Sequence, residues 1–246
     1  RHDVEATPRR LTLPEHQGKG FHNEPDSDWT QVRHHKALAN AQISNVTPPK
    51  ADASVVNQTL AAAKASQVDW MAAGAATRAE ILRACGEQIA STRFECITLL
   101  CEEGKKAIHE ADTEISEAID FCRYYAETGM DPQGVHSEPL GTVVVTPPWN
   151  FPFAIPCGGV VGALMAGNAV ILKPASKSAR IGWWLVQQLW EAGVPREVLH
   201  FVLPSDRSAG RALIDDDRTN AVILTGAYET ARMFQSWRPS LRLFAE

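Results

Sequence analysis

The chain has 246 residues, 44% of them hydrophobic and 22% charged, and carries a formal net charge of −5. That length and composition fit one large soluble domain or two smaller ones, each with a packed core. The acidic balance lacks the basic stripe of a nucleic-acid binder, so no nucleic-acid partner is expected.

Residues 1 to about 50 hold five of the eight histidines, several prolines and few apolar runs. They read as a solvated N-terminal arm that wraps the domain and closes at Pro48-Pro49. His22, His34 and His35 are the candidate metal ligands there. Adjacent histidines suit no single helical face, and no cysteine or carboxylate stands at ligand spacing, so no metal site is expected. The rest, about 51 to 246, is read as a helical lead-in followed by a dinucleotide-binding domain.

The lead-in is helical by pattern. Val55 to Trp70 is alanine-rich. Thr77 to Cys101 places Ile81, Leu82, Cys85, Ile89, Phe94 and Ile97 on a helical period. Ala111 to Ala126 repeats that pattern, with Asp112 and Glu114 early, where acids favour the helix dipole. A turn-rich connection runs from Gly129 to Gly134. Then the chain alternates. Strands are expected at 142–146, 169–172, 198–203 and 221–225, and helices at about 153–166, 179–192, 207–215 and 228–236. Such alternation implies an α/β fold, a doubly wound and mainly parallel sheet with helices on both faces.

Phe151 to Leu172 is uncharged and long enough to span a bilayer. Pro152 and Pro156 break its start and Gly167-Asn168 stops a helix before its end, so no membrane span is expected. The five cysteines, Cys85, Cys96, Cys101, Cys122 and Cys157, form no CxxC pair. An odd count without a secretory signal reads as reduced thiols in a cytoplasmic protein.

In a parallel sheet, ligands sit at the carboxyl ends of the strands. Asn150 follows the first strand behind Pro147-Pro148-Trp149. Its neutral amide suits a fixed oxyanion donor, and equally suits a turn that satisfies its own backbone. Lys173 ends the second strand, placed to reach a ribose or phosphate or simply solvent. Thr225-Gly226 ends the last one, where a glycine lets a pyrophosphate approach helix N–H groups and where turns favour glycine anyway. Gly158-Gly159-x-x-Gly162 departs from the GxGxxG fingerprint and reads as close helix packing. No nucleophile elbow, Walker A loop or HExxH is present.

Together these segments resemble the aldehyde dehydrogenase superfamily. The matching elements are Pro148-Trp149-Asn150-Phe151-Pro152, Ala166-Gly167-Asn168, Lys173-Pro174-Ala175, Glu191-Ala192-Gly193-Val194-Pro195, Leu224-Thr225-Gly226 and Glu246. Ile119 to Ala126, Trp237-Arg238-Pro239 and Leu243 to Glu246 are most similar to the pyrroline-5-carboxylate dehydrogenase branch, in particular the dehydrogenase half of bifunctional proline utilisation A enzymes. Phe21 to Pro25 and Asp28-Trp29 fit that branch less specifically.

The resemblance implies a Rossmann-like fold and oxidation of an aldehyde with NAD, with NADP tolerance left open. It implies glutamate γ-semialdehyde as substrate, another aldehyde being the alternative, and a homo-oligomer with a fused or separate proline dehydrogenase. Asn150 matches the oxyanion donor and Glu246 the water-activating glutamate. Thr146, Pro147, Pro148, Trp149, Lys173, Ala175, Ser176, Gly226 and Ala227 match the nucleotide site. Phe151 and Glu117 are substrate-side candidates. Ser176 stands where many members have an acid that grips the adenosine ribose, and Ala227 stands where many have serine. The family's nucleophilic cysteine matches none of the five here, and Cys157 reads as core. The chain is therefore expected to be either a truncated gene product or a piece of a longer enzyme, inactive alone and prone to aggregate through an uncovered face. A non-catalytic nucleotide-binding or assembly module is the reading from another class.

Overall fold

The computed structural model describes residues 21–43, 46–129 and 137–246. The first twenty residues and most of the expected connection from Gly129 to Gly134 lie outside that set. After a turn at Thr30, α1 (Val32–Asn40) leads to a short β1 (Lys50–Ala51). Four helices follow: α2 (Ala53–Ala72), α3 (Gly74–Ser91), α4 (Arg93–Glu102) and α5 (Ile108–Thr128). The single helical pattern expected from Thr77 to Cys101 is two helices, because the chain leaves helical geometry at Thr92 (φ −106, ψ 21). Nothing but that one residue separates two helix-compatible stretches.

The alternating half runs β2 (Thr142–Thr146), α6 (Ala154–Met165), β3 (Ala169–Leu172), α7 (Ala179–Glu191), β4 (Leu199–Phe201), β5 (Leu203–Pro204), α8 (Arg207–Asp215), β6 (Ala221–Leu224), α9 (Tyr228–Trp237) and β7 (Leu243–Ala245). Gly167 (φ 84) and Gly193 (φ 107) take the left-handed conformation just past α6 and α7, which only glycine adopts without cost. The main sheet has order β4-β3-β2-β6-β7, all parallel. Reversal of direction at β2, between β3 and β6, is the doubly wound arrangement.

Two strand expectations need correction. The run 198–203 divides: Leu199–Phe201 extends the main sheet, while Leu203–Pro204 pairs with Lys50–Ala51 in a separate two-stranded sheet. And Leu243–Ala245 forms a fifth strand beside β6.

Central strands β2 and β3 are buried at every position, as continuous apolar runs in a parallel sheet should be. Val143, Val145, Val170 and Leu172 pack with α3 to α7 on one face. Val144, Ile171 and Val222 pack with α2, α8 and α9 on the other. The glycines of α6 are packing devices, as expected. A Cβ on Gly159 would lie 2.9 Å from Val145 Cγ1, and one on Gly162 would lie 3.1 Å from the Tyr125 ring.

The described part of the arm, from Phe21 onward, is anchored to the domain. Buried Asp112 accepts bonds from Ser27 N (2.7 Å), Ser27 Oγ (3.0 Å), Trp29 Nε1 (3.1 Å) and Arg93 Nη1 (2.6 Å). Glu24 pairs with Arg93 (3.1 Å) and Arg123 (2.6 Å). His34 and His35 stand edge-on or tilted against Trp29 and Phe94, their ring nitrogens meeting the carbonyls of Asp28 and Trp29. No cluster of metal-ligating side chains exists among the described residues. Among them, too, no helix is long and apolar enough to cross a membrane.

Candidate nucleotide and oxyanion site

Register decides what meets at the carboxyl end of the sheet. Val145 pairs with Leu172, and Thr146 pairs with Leu224. The next residues of the neighbours close on β2: Lys173 N donates to Val145 O (2.9 Å) and Thr225 N to Thr146 O (3.2 Å). Lys173 and Gly226 therefore emerge at one end of the sheet, on either side of the Pro147-Pro148 turn. They line one crevice of about 470 Å³, together with Thr146, Trp149, Ala175 and Ala227. All but one of the residues matched to the nucleotide site lie along it. The exception, Ser176, lines an adjoining cavity of about 380 Å³ that shares Lys173 and runs between α8 and α9.

These walls offer hydrogen-bond donors to a ligand that carries hydroxyl or phosphate groups. Lys173 makes no ion pair or side-chain hydrogen bond among the described residues, and burial pulls its pKa below the ordinary 10.5. Such an ammonium is short of partners, and ribose hydroxyls would supply them. At the far side α9 opens without a side-chain cap at Ala227. Its first N–H groups are orphans of the kind that accept a pyrophosphate. Ser176 and Arg207 share the adjoining cavity, and the acid there, Asp206, is already engaged by Ser208 Oγ (2.6 Å) and Ala209 N (2.9 Å) as the cap of α8. Lys177 stands over the exposed Trp149 ring, 5.2 Å from its centroid.

Asn150 is exposed between Trp149 and Phe151, and its carboxamide bonds to no other described residue. That weakens the alternative of a turn asparagine satisfying its own backbone. Asn150 lines two cavities, the crevice just described and a second of about 610 Å³ shared with Phe151, Lys106 and His109. It stands where the two meet.

Glu246 and Glu117 are not brought to Asn150. The Glu246 backbone extends the β7 ladder, donating to Leu224 O and accepting from Gly226 N at 3.0 Å each. Its residue lines a separate groove of about 600 Å³ with Tyr125 and Gly162. Glu117 is half-buried on α5 and does not line the Phe151 cavity. Burial first, then the neighbouring Glu114 carboxylate, raise its pKa. Cys85, Cys96, Cys122 and Cys157 are buried and Cys101 is half-buried, and none lines either cavity beside Asn150.

Sequence reasoning missed Lys106 and Arg207, and it read Glu114 only as a dipole partner of its own helix. Glu114 reaches across to α6, where its Oε1 accepts from Phe153 N (2.7 Å) and Ala154 N (3.1 Å). A charged residue amid the apolar face of α5 was the available signal.

Residues 26–238 match the model of the aldehyde dehydrogenase family. The chain is 30% identical over 264 residues to 1-pyrroline-5-carboxylate dehydrogenase of Bacillus pumilus (strain SAFR-032), a match that covers 87% of this chain and 51% of that protein. It is 37% identical over 181 residues to the bifunctional protein PutA of Escherichia coli (strain K12), covering 73% and 14%. The solved structure of proline utilization A from Corynebacterium freiburgense superposes with a TM-score of 0.83 at 31% identity, covering 91% of this chain and 23% of that one. The chain thus spans about half the length of the first relative and a smaller part of the others. Family model, sequence and fold agree: the chain belongs to the aldehyde dehydrogenase family.

Proposed function

We propose that this chain supplies the nucleotide-binding domain and the oxyanion donor of an enzyme that oxidises an aldehyde to a carboxylate, with glutamate γ-semialdehyde as substrate and NAD as oxidant. The observation that carries this reading is the unpartnered carboxamide of Asn150 at the junction of the strand-end crevice and the neighbouring cavity. Bound NAD would accept the hydride. Lys173 would hold the adenosine ribose, and the N–H groups at Ala227 and Tyr228 would face the pyrophosphate. Asn150 Nδ2 would donate to the oxygen of the aldehyde as it becomes an oxyanion. Phe151, which shares a cavity with Asn150, is proposed as a substrate-side residue. Glu246 as the water-activating base and Glu117 as a second substrate-side residue are proposed on the family resemblance alone, since neither lines a cavity beside Asn150. The attacking thiol is none of the five cysteines here. The similarity to bifunctional PutA supports a proline dehydrogenase, fused or separate, as source of the substrate. That the complete enzyme is a homo-oligomer is proposed on the family resemblance alone.

The test is Asn150→Ala in the complete gene product, assayed with pyrroline-5-carboxylate and NAD. One lost oxyanion donor costs about 3 kcal/mol of transition-state stabilisation, or about a hundredfold in kcat. The Kd for NAD should stay within about twofold. An unchanged kcat with weakened NAD binding makes Asn150 a structural residue and sinks the proposal.

A further inference from the structure

Helix α6 begins at Ala154 without a side-chain cap of its own. Its opening N–H groups would be orphans in a buried site. Glu114 satisfies two of them, from a side chain 1% exposed. A buried carboxylate in turn requires a counter-charge. Lys106 provides it, with Nζ 2.8 Å from Glu114 Oε2 but off the line of a hydrogen bond, so the attraction is that of two charges. The same ammonium lies 4.3 Å from the centroid of the Phe151 ring.

Residues 150 and 151 are otherwise exposed, and Phe151 is 46% accessible. The loop is thus held at two points on either side of Pro152, by the Phe151 ring under Lys106 and by the Phe153 and Ala154 N–H groups on Glu114. Asn150 sits immediately before the first of them. We propose that Lys106 is a positioning residue for Asn150: its ammonium fixes the Phe151 ring by cation–π attraction while neutralising the carboxylate that holds the start of α6, so the Asn150 carboxamide presents one fixed donor to the cavity. The inference rests on the reading of Asn150 as oxyanion donor. Lys106 touches neither nucleotide nor reacting atoms in this scheme.

The experiment is a double-mutant cycle in the complete enzyme, with pyrroline-5-carboxylate and NAD. Lys106→Met should lower kcat at least about tenfold and leave the Kd for NAD within about twofold, while Lys106→Arg should restore most of kcat. In the Asn150→Ala background, Lys106→Met should cost nothing further, because the group it positions is gone. Lys106→Gln gives the same comparison if the methionine variant does not fold. Losses that multiply in the double variant, an unchanged kcat in the single one, or a parallel loss of NAD affinity overturn the proposal while leaving the site reading intact. A wild-type enzyme that binds NAD yet oxidises no aldehyde overturns the site reading, and the proposal with it.

Discussion

Lys173 is unfavourable for the fold, and in the proposed site it would hold the ribose. Burial lowers its pKa below 10.5, so the unfolded chain binds the proton more readily than the folded one. Stability from this group is therefore missing at neutral pH and recovered as pH rises through the lowered value towards 10.5. Lys173→Met should raise the apo-protein Tm at pH 7, and the gain over wild type should shrink in alkali. A gap that stays constant with pH, or a lower Tm, contradicts this. Ser176 makes the complementary case. It lines one cavity with Lys173 and Arg207. If that cavity holds the adenosine ribose as proposed, a 2′-phosphate would be tolerated there, whereas Ser176→Glu should repel one. The ratio of Kd values for NADP and NAD, at fixed salt, should rise by about tenfold or more on that change, the size of one unscreened charge contact. A ratio that does not move places Ser176 away from the ribose.

At the scale of elements, the sheet and α6 are locked by small residues. The Cβ of Gly159→Ala would press on Val145 in the central strand, not on a flexible side-chain end. Overpacking of this kind costs about 1–3 kcal/mol, and a denaturant midpoint reads it with the slope unchanged. A neutral Gly159→Ala would mean that β2 and α6 can separate slightly without penalty. Most of the alternating half was legible in sequence because Val143 to Val145, Ala169 to Leu172 and Ala221 to Leu224 are apolar runs between helical periods. Leu243–Ala245 was not, since three residues at a sheet edge carry no period to read. Thr92 was missed because Arg93 onward is as helix-compatible as the residues before it. The strand-end residues were legible because sheet topology alone brings Lys173 and Gly226 to the same end. Lys106 and the reach of Glu114 were not. Their partners, Phe151, Phe153 and Ala154, lie more than thirty residues away across an interface that only packing creates.

As described, the molecule is a parallel sheet between two apolar layers, with the segment from Glu24 to Trp29 tied to Asp112, Arg93 and Arg123. One mouth at the carboxyl end of the sheet gathers the unpartnered donors: Lys173, the start of α9 and the Asn150 amide. We propose that this mouth is a nucleotide site. A titration of the complete gene product with NAD, by calorimetry, tests it most directly, with Lys173→Met and Asn150→Ala alongside. One site per chain is expected, with Lys173→Met weakening it about tenfold, the worth of a hydrogen bond to a charged group, and Asn150→Ala leaving it unchanged. No binding by wild type, or binding indifferent to Lys173→Met, would mean that the mouth does not hold the nucleotide.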